Sequence, residues 1–310
     1  MKKGIFIFFL VCCIKSSGIS GKTFIKFHKF SYGIRIIPAN TSIKNFSLYL
    51  PLPATTKNQK LIKYKVNIKK YKIITSKIHK AKYLYFNFKR IPANKKNLDI
   101  YITVEVLKKQ KKNNLKSILY TDKNYKNKSV YRFLRFNNYI NNNHKLIKNL
   151  TSELKGASIY YQIKYLTERI NSLIKKRARF RGLRKVSHIL KYMDGECSDY
   201  VTVMASVLRN LKIPCRHVVG RIITNDIKKS WHIWAEVYTN KLGWVPVDPF
   251  YYNTNKSLIG YEPDDYIIFH KGILLPKLKR KNKIPILQSY YYTFTYKGRP
   301  NIKVKYIWKK

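Results

Sequence analysis

The chain has 310 residues, of which 45% are hydrophobic and 15% aromatic, and its formal net charge is +51 at pH 7. This length and apolar content allow one sizeable core or two modest ones, and we expect two domains. Lys, Asn, Ile and Tyr are abundant together and all have codons rich in A and T, so the charge alone does not define a protein that binds polyanions.

The N-terminus has the pattern of a secretory signal. Two lysines precede an apolar run from Gly4 to Ile14, and small residues follow up to Ser20. The run is too short to span a bilayer comfortably, so we expect a signal peptide over residues 1–20, a secreted or periplasmic protein, and no transmembrane span after cleavage. Lipid anchoring through Cys13 and a retained, uncleaved anchor are alternatives.

Removal of such a signal leaves two cysteines, Cys197 and Cys215. In a secreted chain these two could form one disulfide, which stays an alternative at this point. The residues around Cys197 favour another interpretation, which depends on the elements along the chain.

Four segments between residues 32 and 108 alternate apolar and polar residues. A period of two predicts half-buried strands, so we expect residues 32–108 to form a small antiparallel β domain with its lysines mostly facing solvent. The apolar positions are Phe46, Leu48, Leu50 and Leu52; Tyr64, Val66 and Ile68; Leu84, Phe86 and Phe88; Ile100, Ile102, Val104 and Val106.

A polar connector is predicted over residues 109–155, which are rich in Lys and Asn and lack a fixed apolar period. We expect at most a short helix near Val130–Phe136 within it.

Residues 156–275 are predicted to form an α+β domain, with helices first and an antiparallel sheet after them. The predicted helices follow the apolar series Ile159, Ile163, Leu166, Ile170, Leu173, the segment Ser187–Tyr192, and the series Val201, Met204, Ala205, Leu208, Leu211. The predicted strands are Arg216–Ile223, Trp231–Tyr238 and Trp244–Asp248, and residues 276–310 are predicted to be a β extension.

Cys197 lies at the predicted N-terminus of a buried helix, where free backbone N–H groups and the helix dipole favour thiolate over thiol. The predicted hairpin supplies a base. If its turn centres near Asn240, His232 lies opposite Asp248, close enough for the carboxylate to fix one imidazole tautomer. A thiol, an imidazole and a carboxylate in this order form the nucleophile, base and orienting group of thiol acyl-transfer enzymes.

Three acidic residues, Asp194, Glu196 and Asp199, surround Cys197 in a chain with only 14 acidic residues. Asp199 in the first helical turn interacts favourably with the dipole, and Asp194 can shape the start of the helix, so we assign both structural roles. A metal site is the other interpretation, but the spacing matches no zinc or calcium pattern. The remaining histidines are interpreted as structural: His28, His79, His144, His188, His217 and His270.

Three segments in this order, GECSDYVTVMASVLRNLKIPCRHVVGR, HIWAEVY and GWVPVDP, resemble the signature blocks of the transglutaminase-like superfamily, thiol enzymes with a papain-like core. The resemblance implies that Cys197 is the nucleophile, His232 the general base and acid, and Asp248 the orienting acid, with no cofactor or metal. The predicted β domain resembles the β-sandwich that precedes the core in bacterial members. The chain has Cys215 and Ile233 where the family commonly has Ala.

This resemblance implies an acyl-enzyme formed from an amide in a protein or peptide substrate. Release by water is peptidase or amidase activity, and release by a lysine amine is transglutaminase activity. Two non-enzymatic alternatives stay open: a catalytically silent scaffold, and a basic module that binds an anionic polymer of the cell envelope. A secretory signal disfavours a nucleic-acid partner.

Overall fold

The computed structural model describes residues 25–37, 42–76, 81–93, 97–117, 124–177, 183–223, 231–252, 258–273, 291–295 and 303–309. The predicted signal peptide, with Cys13, lies outside the described residues, as does His79. In these described ranges, no helix has both the length and the apolar character needed to cross a membrane.

Two antiparallel sheets form a sandwich, to which the N-terminal part of the chain contributes six strands: β1 (Ile25–Ile37), β2 (Ile43–Pro51), β3 (Gln59–Val66), β4 (Lys72–Thr75), β5 (Lys82–Ile91) and β6 (Leu98–Lys109). Strands β1, β6 and β3 are neighbours in one sheet, in this order, and β2, β5 and β4 are neighbours in the other. Alternate residues of β2 and β6 point into one shared core. The predicted period-two strands are confirmed.

The C-terminal tail completes this sandwich. Strand β15 (Tyr291–Thr295) pairs with β2, and β16 (Lys303–Lys309) pairs with β1. The predicted β character of the tail is confirmed in these two strands. Because the tail returns to the sandwich, both ends of the described chain lie in the same pair of sheets.

Four helices precede the second sheet: α1 (Lys145–Glu153), α2 (Ile159–Leu173), α3 (Val186–Tyr192) and α4 (Cys197–Asn210). Helix α1 lies within the predicted connector, where we expected at most a short helix near Val130, and this prediction is corrected: its buried Ile147 and Leu150 pack in the same core as α4. The apolar face of α1 has too few residues to show a helical period in so polar a stretch of sequence. The short helix predicted near Val130 is a 3-10 helix over Lys128–Phe133.

The strands of the second sheet are β10 (Cys215–Ile222), β11 (Trp231–Thr239), β12 (Gly243–Val247) and β14 (Tyr266–Lys271). They are antiparallel and lie in the order β12-β11-β10-β14. Helix α4 packs on the face that carries Ile233, Ala235 and Val237. Two two-stranded sheets complete the strands of the described residues: β7 (Lys111–Lys112) with β13 (Tyr261–Glu262), and β8 (Lys175–Lys176) with β9 (Asp194–Gly195).

The register of the β11–β12 hairpin differs from the predicted one. Thr239 pairs with Gly243 and Ala235 pairs with Val247, so the turn centres on Lys241 rather than Asn240. Gly243 accommodates this turn with a φ of +68°. The prediction that His232 lies directly opposite Asp248 is therefore wrong by two positions along the partner strand. A shift of two keeps both side chains on one face.

Polar contacts fix the sandwich to the second sheet at more than one point. The Gln59 side chain donates to the Ile268 carbonyl at 2.7 Å and accepts from the Ile268 N–H at 2.8 Å, which covers the edge strand β14. The buried guanidinium of Arg221 lies 3.3 Å from the centre of the Trp308 ring and 5.1 Å from that of Trp231. Strand β16 is thereby joined to β10 and β11, next to His232.

Candidate active site

Cys197 is the first residue of α4, and its side chain is partly exposed. The helix begins with Glu196 as N-cap, and the Asp199 carboxylate accepts a hydrogen bond from the Glu196 N–H at 2.8 Å. A carboxylate in the first turn also interacts favourably with the helix dipole. The predicted structural role of Asp199 is confirmed, and the thiol is placed where backbone N–H groups point outward.

Arg184 explains why acidic residues cluster near this thiol. Its guanidinium donates to both Asp199 oxygens, at 3.1 and 2.8 Å, and to Asp194 Oδ1 at 3.2 Å. All three side chains are buried. Gly195 leaves the room for this cluster, because a Cβ there would lie 2.7 Å from the Asp199 Cβ and 3.1 Å from Arg184 Nη2. The two carboxylates therefore bind Arg184.

His232 and Asp248 are brought together although they are not directly opposite. Asp248 follows the last residue of β12, and its Oδ2 lies 2.6 Å from His232 Nε2. Oδ2 also accepts from the Tyr266 hydroxyl at 2.9 Å, and Oδ1 accepts from the N–H groups of Phe250 and Tyr251 at 3.1 and 3.2 Å. The Tyr266 hydroxyl and two backbone N–H groups thus hold the Asp248 carboxylate in position, and the carboxylate holds the His232 imidazole.

The protonated form of His232 is favoured in this site. Burial by itself lowers the pKa of His232, but the charge and hydrogen bond of Asp248 and the interaction with Cys197 outweigh it and raise the pKa to about 10. Nε2 is engaged with Asp248, so Nδ1 is the ring nitrogen that can face the thiol. The structure therefore brings all three predicted site residues to one place.

Aromatic side chains enclose the imidazole. The His232 ring is nearly parallel to Trp234 at 6.0 Å and lies 4.9 Å from the Tyr251 ring. Gly220, the partner of His232 on β10, permits this arrangement because a Cβ there would lie 2.5 Å from the Trp234 ring. Lys176 lies 4.7 Å from the Phe250 ring at the edge of the site. Low exposure to water strengthens the charge interactions within such an enclosure.

Tyr266 and Arg184 are site residues that the sequence analysis missed. Burial and the Asp248 carboxylate raise the pKa of Tyr266, so its hydroxyl keeps the proton that it donates. Tyr266 follows Pro263-Asp264-Asp265, a segment with no period, and Arg184 is one of 65 basic residues. Neither residue lies in a local sequence pattern that would predict a place in the site.

The remaining predicted residues have structural positions. Cys215 is fully buried and free, its pKa raised to about 12 by burial, so the disulfide alternative is wrong. His217 is buried against Thr202 at 3.1 Å, and His144 caps helix α1. Among the residues that the structure describes, no cluster of three or more His, Cys, Asp or Glu could hold a metal ion.

Residues 140–249 match the family model of the transglutaminase-like superfamily. Among solved structures, a candidate cysteine protease from Cytophaga hutchinsonii is 13% identical, with 93% of each chain covered and a TM-score of 0.63. The periplasmic domain of TgpA from Pseudomonas aeruginosa bound to ethylmercury is 15% identical, with 73% of this chain and 92% of that chain covered and a TM-score of 0.36. No curated protein matches.

Residues 140–249 thus match the same superfamily that the three sequence segments resemble. The Cytophaga structure shares the fold over almost the whole chain, including the strand-rich region before the core. The predicted α+β class, with a Cys-bearing helix packed on an antiparallel sheet, is confirmed.

Replacing Arg184 by Ala is expected to lower the free energy of unfolding by about 3–5 kcal/mol, because two buried carboxylates lose their cation. Urea unfolding measures this change. The matched control is Arg177→Ala, an exposed position four residues after the end of α2, where a loss within about 0.5 kcal/mol is expected. Equal losses in the two variants would contradict the role given to Arg184.

His232 is expected to make stability depend on pH. Its pKa rises from 6.5 to about 10 on folding, so its contribution is fully present below pH 6.5 and is lost as the pH rises through about 10. The difference in unfolding free energy between wild type and His232→Gln should therefore fall over this range, by about 2 kcal/mol or more. A difference that stays constant or grows with pH would contradict the charged pair.

Proposed function

We propose that this protein is a thiol enzyme that acts on amide bonds of protein or peptide substrates through Cys197, His232 and Asp248. The observation that carries this proposal is the 2.6 Å contact between Asp248 and the His232 imidazole, whose pKa is raised by Asp248 and by the neighbouring Cys197. The match of residues 140–249 to the transglutaminase-like superfamily supports a cysteine enzyme, and the geometry of the three groups supports the roles.

The imidazolium of His232 pairs with the Cys197 thiolate in the resting site. The sulfur attacks the substrate carbonyl carbon, and the carbonyl electrons move to its oxygen. The backbone N–H of Cys197, at the helix N-terminus, is positioned to stabilise that oxyanion. His232 then donates its proton to the leaving nitrogen, the C–N bond breaks, and a thioester on Cys197 remains.

The second half of the reaction reverses the proton transfer. His232, now neutral, takes a proton from an incoming water or amine as it attacks the thioester, and the thiolate leaves. Asp248 stabilises the imidazolium each time it forms, and Tyr266 with two backbone N–H groups keeps Asp248 in place. Water gives peptidase or amidase activity, and an amine gives transglutaminase activity.

We further propose that the enzyme is exported and works outside the cytoplasm, either secreted or periplasmic. The support is the signal-like segment over residues 1–20, in which a short apolar run follows two lysines. Residues 156–275 are proposed as the catalytic domain and residues 32–108 as a β domain that supports it.

Acylation by p-nitrophenyl acetate tests the triad without knowledge of the natural substrate. Wild type is expected to release about one equivalent of p-nitrophenol in a burst and to gain an acetyl group on Cys197, as seen by mass spectrometry. Cys197→Ala should show no burst, and His232→Ala should slow it by about a hundredfold or more. Cys215→Ala is the matched control and should keep the burst, because Cys215 is buried.

The acetyl-enzyme also separates the two outcomes. A primary amine added to it yields an N-acetyl amine if the protein is an acyl transferase, and only acetate if water is the acceptor. A burst that survives in Cys197→Ala, or a wild type that is never acylated, would contradict the proposed function and favour a catalytically silent scaffold.

A further inference from the structure

A cavity of about 850 Å³ lies between the sandwich and the sheet face that carries Trp234 and Glu236. It is separate from the triad. Its walls come from the loop before β3, from the end of β6 with β7, and from β10, β12 and β14. Six of its lining side chains are basic: Lys57, Lys109, Lys111, Lys112, Arg216 and Lys271.

A buried carboxylate organises the floor of this cavity. Glu236 accepts from Arg216 at 2.8 and 2.6 Å and from Lys271 at 2.8 Å, and Lys111 Nζ lies 3.7 Å away. Burial would raise the pKa of Glu236, but these three cations outweigh it and hold the pKa well below its usual range. One anion therefore fixes three cations, which are positioned before any ligand arrives.

The positive charge of the lining is not balanced from within. Glu262, the other acidic lining residue, already pairs with the buried Lys108 at 2.5 Å. Lys111 Nζ donates to the Trp244 carbonyl and lies 3.7 Å from a Glu236 oxygen, so its charge has partners. Among the residues that the structure describes, the exposed rim lysines Lys57, Lys109 and Lys112 have no carboxylate partner, and a negatively charged ligand would balance their charge.

The donor types point to the kind of anion. Arg216 uses both Nε and Nη2 on a single Glu236 oxygen, so its planar fork is occupied, and the other cations are lysines. Lysines act as point charges and suit the oxygens of a phosphate, whereas a planar carboxylate is best matched by an arginine fork.

An apolar wall completes the cavity. Trp244, with the Arg216 guanidinium 3.7 Å from its ring centre, lines it together with Leu242 and Ile268. The volume is within the range of small-molecule sites, about 300–1,000 Å³.

We propose that this cavity binds a small organic molecule that carries a phosphate group.

The site is distinct from the triad. His232 and Glu236 lie four residues apart on the same strand, about 13 Å at the usual rise. The buried Trp234 lies between them, with its Nε1 bonded to Glu262 at 3.0 Å and its ring against His232. Binding is therefore expected to be unchanged in Cys197→Ala, whether or not the triad is active.

Isothermal titration calorimetry of the full chain with phenyl phosphate tests the proposal, in about 0.15 M salt so that general attraction to the basic chain is screened. We expect one saturable site. Lys109→Gln/Lys112→Gln should bind about tenfold more weakly, because two charge-assisted contacts are lost. The matched control, Lys60→Gln/Lys65→Gln, removes the same charge from exposed positions of β3 outside the cavity and should bind within about twofold of wild type.

Two further probes test the chemistry of the ligand. Benzoate carries the same ring on a planar carboxylate and should bind about tenfold more weakly than phenyl phosphate. Inorganic phosphate lacks the ring and should also bind more weakly. No saturable binding of phenyl phosphate, an equal loss in both double variants, or an affinity for benzoate equal to that for phenyl phosphate would overturn the proposal.

Discussion

The charged pair of His232 and Asp248 is the interaction on which the site depends. A buried imidazolium is costly unless an anion lies in direct contact, and Asp248 at 2.6 Å provides one. The carboxylate must also keep its position, which explains the donors around it: the Tyr266 hydroxyl and the backbone N–H groups of Phe250 and Tyr251. Asp248, just after β12, and Tyr266 on β14 therefore keep one imidazole charged and aligned.

The acidic residues near Cys197 serve a different purpose. Asp194 and Asp199 direct their charge at Arg184, and Asp199 also closes the start of α4. Acids that faced the sulfur would oppose thiolate formation, so their neutralisation by Arg184 is compatible with a nucleophile at the same helix end. The hydrogen bond from the Glu196 N–H to Asp199 fixes the start of the helix whose first residue is Cys197.

The sequence predicts those features of the structure that depend on neighbouring residues, and it does not predict contacts between residues far apart in the chain. Local sequence patterns predict the period-two strands and helix α4. They also predict that His232 and Asp248 lie on one face of the hairpin. This last prediction holds although the predicted register is wrong, because a shift of two residues leaves a side chain on the same face. Helix α1 was not predicted because its apolar face contains few residues. The pairing of β16 with β1 and the contacts of Arg184 and Tyr266 join residues far apart in sequence, and no local pattern encodes them.

The most direct test of the triad is the rate of alkylation of Cys197 by iodoacetamide, followed by mass spectrometry from about pH 5 to 9 in wild type and in His232→Ala. An imidazolium that stabilises the thiolate predicts fast labelling of wild type down to the acidic end. Labelling of His232→Ala should instead fall about tenfold per pH unit below neutrality, as for an ordinary thiol. The buried Cys215 should label slowly in both proteins. The same pH dependence in the two proteins would contradict an assembled triad.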